Sequence, residues 1–282
     1  MRIVNLIENT EGKNGCLFEH GLSFYIETEK HRLLADTGAS GAFLKNAVQL
    51  GIDLSKVDMV ILSHGHYDHA GGILEFVKMN PHAVIYMQKN APEAYFHKNG
   101  SMEKYIGIDR RIAKLPQVIF VDGDRKIDDE LFLFSGITKR RLWPEGNLEL
   151  KCRQGDTFIQ DDFSHEQYLV ISQGNRKLLV SGCAHNGILN IMEKYHTIYG
   201  TYPDAVISGF HMRRKSGYSK QDAVVMEETA RELNKTGTVF YTGHCTGEYP
   251  YEVMKKIMGE QLIYVHSGDD INIKMKGKEG VI

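Results

Sequence analysis

Long apolar runs are missing from this 282-residue chain. No stretch approaches the roughly 20 apolar residues of a membrane-spanning helix, and the opening MRIVNLIENTEG has no apolar core like that of a secretory leader. Paired cysteines are missing as well. Cys16, Cys152, Cys183 and Cys245 are widely spaced with no CxxC, which argues against a disulfide framework; a chain of this length can bury a core without staples. The expected compartment is therefore the cytoplasm. An excess of one charge is also absent. With 34 basic against 36 acidic residues the formal charge is −2, so no global field draws the chain to nucleic acid or membrane. No linker or low-complexity segment interrupts it. The expectation is a single domain over residues 1–282 that acts on a small-molecule substrate, with no nucleic-acid or membrane partner. The pattern leaves the oligomeric state open.

What is present is a strand-and-helix grammar. Ile3–Ile7, Leu22–Thr28 and His31–Ala35 are rich in β-branched and large apolar residues, and Glu29–Lys30 reads as a hairpin turn. A helix follows in which Leu44, Ala47 and Val48 share a face, and Val57–Leu62 reads as a short buried strand. Ile73, Leu74 and Val77 mark another helix, and residues 82–87 another strand. Residues 91–115 are polar, aromatic and basic, and read as a helix-turn connection or a lid. Further strands are expected at Gln117–Val121, Leu131–Phe134, Tyr168–Ser172, Lys177–Ser181, Ala205–Ser208, Thr238–Thr242 and Leu262–Val265. Ile188, Ile191, Met192 and Tyr195 form one helical face. Asp222 is the expected N-cap of a helix that turns Met226, Ala230 and Leu233 inward. Val253, Met254 and Ile257 face inward on the last helix. Two β-rich halves, each carrying helices, point to sheet packed on sheet with helices outside.

The chemistry is concentrated in SHGHYDHAGG, residues 63–72, which places His64, His66, Asp68 and His69 within six positions. The chain holds 13 histidines in all, so three this close are hard to ascribe to chance. Imidazole and carboxylate suit zinc, iron or manganese. The loop leaves the end of a buried strand, and Gly71 and Gly72 let it turn. One loop cannot surround two ions, so other ligands must come from elsewhere. Cys183 and His185 in LLVSGCAHNG, His211 in AVISGFHMRR, and His244 and Cys245 in VFYTGHCTG each follow an expected strand. His185 and His244 are favoured as ligands; Cys183, His165 and His211 are alternatives. His20, His31, His82, His97, His196 and His266 are placed outside the site. Asp36, in DTGAS, either caps a helix or holds a ligand imidazole.

SHGHYDHAGG matches the HxHxDH motif of the metallo-β-lactamase superfamily. With LLADTGAS, DDFSHEQYLVI, SGCAHNGILNIM, GFHM and HCTG, it resembles a branch of prokaryotic metal-dependent hydrolases. Some of these are catalogued as relatives of an archaeal dihydropterin-methyl ribofuranosylaminobenzene-phosphate synthase. The resemblance spans about residues 1–250. It implies an α/β fold, an αββα sandwich of two mixed sheets, with a dinuclear site at one edge. By motif, His64 and His66 would bind a first metal, Asp68 and His69 a second, and His244 would complete the second. The chain departs from the pattern at GCAH. Cys183 stands where most members carry a bridging aspartate, and His185 lies two residues on. A thiolate there would favour zinc; one or two ions, with iron or manganese as alternatives, are compatible with the set.

The expected enzyme is a metal-dependent hydrolase in which metal-activated water attacks a small ester, lactone or phosphodiester. Asp68 would orient the water or take its proton, and His211 would contact the developing oxyanion or shuttle a proton. Arg213, Arg214 and Lys215 at the mouth would favour an anionic substrate. The alternatives are a transferase acting on a pterin-like phosphorylated substrate and a non-catalytic metal or ligand sensor.

Overall fold

The computed structural model describes residues 1–12, 15–215 and 217–273; the single-domain expectation for 1–282 also takes in residues 274–282, which lie outside the described residues. Strand β1 (Arg2–Ile7) leads to β2 (Ser23–Glu27) and β3 (Arg32–Ala35), then helix α1 (Ala42–Gln49). Strand β4 (Met59–Ile61), helices α2 (Tyr67–Ala70) and α3 (Ile73–Met79) and strand β5 (Val84–Gln88) follow. Next come β6 (Tyr95–Asn99), β7 (Met102–Tyr105), β8 (Val118–Val121), β9 (Arg125–Lys126), β10 (Leu131–Ser135), β11 (Leu150–Gln154) and β12 (Thr157–Gln160). The chain continues through β13 (Gln167–Gln173), β14 (Arg176–Val180), α4 (Ile188–Tyr199), β15 (Ala205–Ile207) and α5 (Lys220–Asn234). Among the described residues, the last elements are β16 (Val239–Thr242), α6 (Glu248–Met258) and β17 (Leu262–Tyr264).

Two sheets form the sandwich, one ordered β1-β2-β3-β4-β5-β8 and the other β17-β16-β15-β14-β13-β10-β9. Both are mixed. Strands β3, β4, β5 and β8 run parallel in the first sheet, and β14, β15, β16 and β17 in the second. The two-residue period of a strand explains the layering. Leu33, Ile61, Leu178, Val180 and Ile207 point between the sheets. Their neighbours Leu34 and Val60 pack on Phe43 of α1 and Phe76 of α3. Leu179 and Val206 pack on Tyr195 of α4, Met226 of α5 and Met254 of α6. Each such aliphatic side chain contributes about 1.5–3 kcal/mol when fully buried. The result is the αββα sandwich of the metallo-β-lactamase fold.

Three local readings are corrected. Residues 91–115 contain no α-helix. Strands β6 and β7 form a hairpin that joins β11 and β12 in a separate four-stranded sheet, ordered β12-β11-β6-β7. The N-cap of α5 is Ser219, whose hydroxyl accepts from the Asp222 backbone at 3.0 Å while the Asp222 carboxylate accepts from the Ser219 backbone at 2.8 Å. Asp222 is thus the third residue of a capping box. Val48 lies on the outer face of α1 and is 79% exposed.

Parallel strands share the direction of their C-terminal ends, so the loops after β3, β4, β14, β15 and β16 can meet at one edge. That edge is where ligands bind in open α/β sheets. Asp36, Ala184, His211 and His244 all have left-handed backbones there, with φ of 61°, 53°, 49° and 50°. Such conformations are costly for residues other than glycine and persist only where surrounding contacts impose them.

Candidate metal centre

His64, His66, Asp68 and His69 leave β4 through the short helix α2, and Cys183, His185 and His244 reach them from the other sheet. The rings of His64 and His66 lie 4.5 Å apart, and each lies 4.8 Å from His185. Beside this trio, Asp68, His69, Cys183 and His244 bring one donor atom each to within 4.8 Å of one another. Cys183 also joins His64 and His185 within the same limit. All seven residues are buried. Two adjoining pockets therefore share one sulfur.

The ring tautomers follow from the partners. Ser63 Oγ donates its one proton to Asp36 Oδ2 at 2.7 Å, so His64 Nδ1, 2.8 Å from the same oxygen, is the donor to it. His185 Nδ1 donates to Asn147 Oδ1 at 2.8 Å, and His244 Nδ1 donates to Asn9 Oδ1 at 2.9 Å. Each of these three rings keeps its Nε2 lone pair free. Those Nε2 atoms, and that of His66, are buried without a hydrogen-bond partner. An unpartnered buried polar atom ordinarily costs about 1–3 kcal/mol. Four of them in one place fit a divalent cation, which takes neutral imidazole at just such nitrogens.

Electrostatics agree for the trio of His64, His66 and His185. Burial, reinforced by the neighbouring imidazoles, holds His64 and His185 well below the ordinary histidine value, and burial lowers His66 to about 3. All three are neutral near pH 7. Burial also opposes protonation of His69, but Asp36 and Asp68 together outweigh it and raise this imidazole to about 9. His69 Nδ1 donates to Asp36 Oδ2 at 2.6 Å, and its Nε2 lies 3.1 Å from Cys183 Sγ. Burial works against ionisation of Asp68, yet the raised His69 beside it keeps its carboxyl well below the usual range.

His165 has a different place. Its Nδ1 accepts from the Gly65 backbone at 2.9 Å, and its Nε2 donates to Asp161 at 3.1 Å. Both nitrogens are occupied, so it has no lone pair for an ion; it packs against His66 with ring centroids 5.3 Å apart. His211 lies 4.1 Å from the His185 ring with its Nδ1 unpartnered. Arg213 is exposed beside Gly247, and Arg214 passes the Gly146 loop near His211.

The sequence did not signal several supports. Asn9 and Asn147 hold the His244 and His185 rings from loops remote in sequence. Buried Glu166 accepts from the backbone of His185 at 2.7 Å and of Asn186 at 2.9 Å, and from the Tyr168 hydroxyl. Glu8 accepts from the His244 backbone at 3.0 Å. His20, placed outside the site from sequence, is at its mouth: Nε2 lies 3.4 Å from Asp68 Oδ2 and the ring stacks on His244. The four-stranded sheet closes one side, with the Tyr95 ring 4.0 Å from His165 and a backbone bridge from Gly107 to His66.

A buried crevice of imidazoles, a carboxylate and a thiol at the edge of an αββα sandwich defines a class. Residues 17–221 match the metallo-beta-lactamase superfamily, and the chain belongs to that superfamily. It is 30% identical over 294 aligned positions, covering 95% of each chain, to 7,8-dihydropterin-6-methyl-4-(beta-D-ribofuranosyl)-aminobenzene-5'-phosphate synthase of Methanocaldococcus jannaschii. The crystal structure of Tm1679, a metal-dependent hydrolase of the beta-lactamase superfamily, is 28% identical with a TM-score of 0.82, covering 97% of this chain and 99% of that one. Zn(2+)-bound PqqB from Methylobacterium extorquens is 12% identical with a TM-score of 0.55, covering 96% of this chain and 100% of that one; it shares the fold. Among the described residues, no helix is long and apolar enough to cross a membrane.

Proposed function

We propose that this protein is a zinc-dependent hydrolase of a small anionic ester, lactone or phosphodiester. The observation that carries the reading is the set of four buried Nε2 atoms without partners. His64, His66 and His185 would hold one ion and Asp68, His69 and His244 a second, with Cys183 available to either set. An ion held there supplies Lewis acidity and lowers the pKa of water bound to it. The chain's own residues do the rest. Asp68 Oδ2, 3.4 Å from both His20 and His244, orients the attacking water and receives its proton. His211, with a free buried Nδ1 beside His185, stabilises the charge that develops on the substrate oxygen. Arg213 and Arg214 attract the substrate's anionic group. The test is turnover of phosphodiesters, lactones and thioesters by zinc-loaded protein against His66→Ala. Activity that survives in the variant overturns the mechanism.

A second reading, transfer to a pterin-like phosphorylated substrate, is favoured by full-length similarity to the archaeal synthase. Incubation with a dihydropterin and an aminobenzene phosphoriboside separates the two. Coupled product without hydrolysis selects the transferase.

A further inference from the structure

The mechanism leaves one buried nucleophile unused. Cys245 follows β16 and Cys183 follows β14, the strands flanking β15. Their sulfurs and a His211 ring nitrogen lie within 4.8 Å of one another. Cys245 Sγ donates to the Cys183 carbonyl at 3.5 Å and accepts from the His211 backbone at 3.3 Å. The space between the two cysteines exists because residue 209 is glycine. A Cβ there would lie 2.4 Å from Cys245 Sγ and 3.6 Å from Cys183 Cα. Cys16 and Cys152 are remote from this pair, and Cys152 donates instead to Glu93 at 3.5 Å.

We propose that Cys183 and Cys245 are an oxidative modification site, which a small peroxide converts to a disulfide. Both thiols are buried, so bulky disulfide reagents are excluded and only a small oxidant can reach them. Cys245 is the more exposed, at 6% against 2% for Cys183, so the oxidant reaches its sulfur first. Its sulfur attacks the peroxide; an S–O bond forms, the O–O bond breaks, and the departing oxygen leaves as water. Cys183 then attacks that sulfenic sulfur. The S–S bond forms, the S–O bond breaks, and a second water leaves. The two sulfurs together lose two electrons, and hydrogen peroxide gains them. Closing the pair to the bonded separation of about 2 Å turns the Cys183 sulfur away from His69 and from both pockets it joins. That consequence for the ion rests on the metal reading; the cross-link itself does not.

The test uses metal-free full-length protein carrying Cys16→Ser and Cys152→Ser, treated with stoichiometric hydrogen peroxide. The expected result is a mass lower by two hydrogen atoms, a cross-linked peptide joining residues 183 and 245, and reversal by a dithiol. Zinc affinity should fall by at least about tenfold on oxidation and recover on reduction. Prior zinc loading should slow the cross-link, and a further Cys245→Ser change should abolish it. Sulfinic or sulfonic products without a cross-link overturn the proposal. Protein that binds no zinc before oxidation overturns the metal reading alone, because the cross-link is read by mass.

Discussion

Oδ2 of Asp36 lies 2.6 Å from Nδ1 of His69, and both side chains are buried. The same carboxylate accepts from Ser63 Oγ and from the Ser63 backbone, each at 2.7 Å, and Ser63 in turn fixes His64. One carboxylate therefore orients rings in both pockets. Asp36→Asn keeps the residue's size and its tolerance of a left-handed backbone but removes the charge. Zinc affinity should fall about 10–100-fold, measured by competition with a chromophoric chelator. Unchanged affinity would mean that Asp36 serves the loop rather than the ion.

His165 and His185 should behave differently. His165→Gln should keep full zinc stoichiometry and lose about 1–3 kcal/mol of stability, because Asp161 and the Gly65 amide lose a buried partner. His185→Ala should lose bound zinc. Elemental analysis of the purified variants together with thermal melts reads both outcomes, and zinc loss from His165→Gln would make His165 a ligand.

Removing metal should make stability depend on pH in a set direction. His64, His66 and His185 titrate below their ordinary 6.5 in the fold. The unfolded chain therefore takes up protons first, and stability falls as pH drops below 6.5. Each such group contributes up to about 1.4 kcal/mol per pH unit. His69 acts oppositely. Raised to about 9, its contribution is full below 6.5 and is lost as pH rises through 9. The depressed Asp68 carboxyl adds stability above 3.8 that is lost as pH falls. Urea melts of metal-free protein should therefore be steepest in their pH dependence on the acid side. A flat profile between pH 5 and 6.5 would contradict the burial of these imidazoles.

The capping box offers a control away from the site. Ser219→Ala should cost about 1 kcal/mol, a melting shift of roughly 2 °C, with zinc affinity unchanged. A change in zinc binding would show that α5 is coupled to the metal loops.

Much of this architecture was legible because buried strands alternate. Leu33 and Leu34, or Leu178 and Leu179, serve opposite faces, and such runs declare themselves in the chain. The four-stranded sheet was not legible. Every residue of β7 is exposed, so no apolar face marks it, and the strand that pairs with its neighbour β6 is β11, far along the chain at Leu150–Gln154. The donors of the first loop could be read because they crowd one segment. The partners that fix them could not: Asn9 meets His244 across 235 positions and Asn147 meets His185 across 38. An asparagine in a loop carries no sign of which distant ring it will hold. Ser219 and Asp222 were a matter of offset, since both residue types cap helices and only the reciprocal bonds assign the positions.

The shared sulfur of Cys183 has one more consequence. Donors on either side of it come from opposite halves of the chain: His64 and His69 from the first sheet, His185 and His244 from the second. Whatever grips both sets clasps the halves together at the edge where their loops, rather than their cores, meet. Loss of that clasp would open the seam from one end, so protease cleavage in metal-depleted protein should begin in the loops around Gly65 and Gly182, before the layers of the sandwich part.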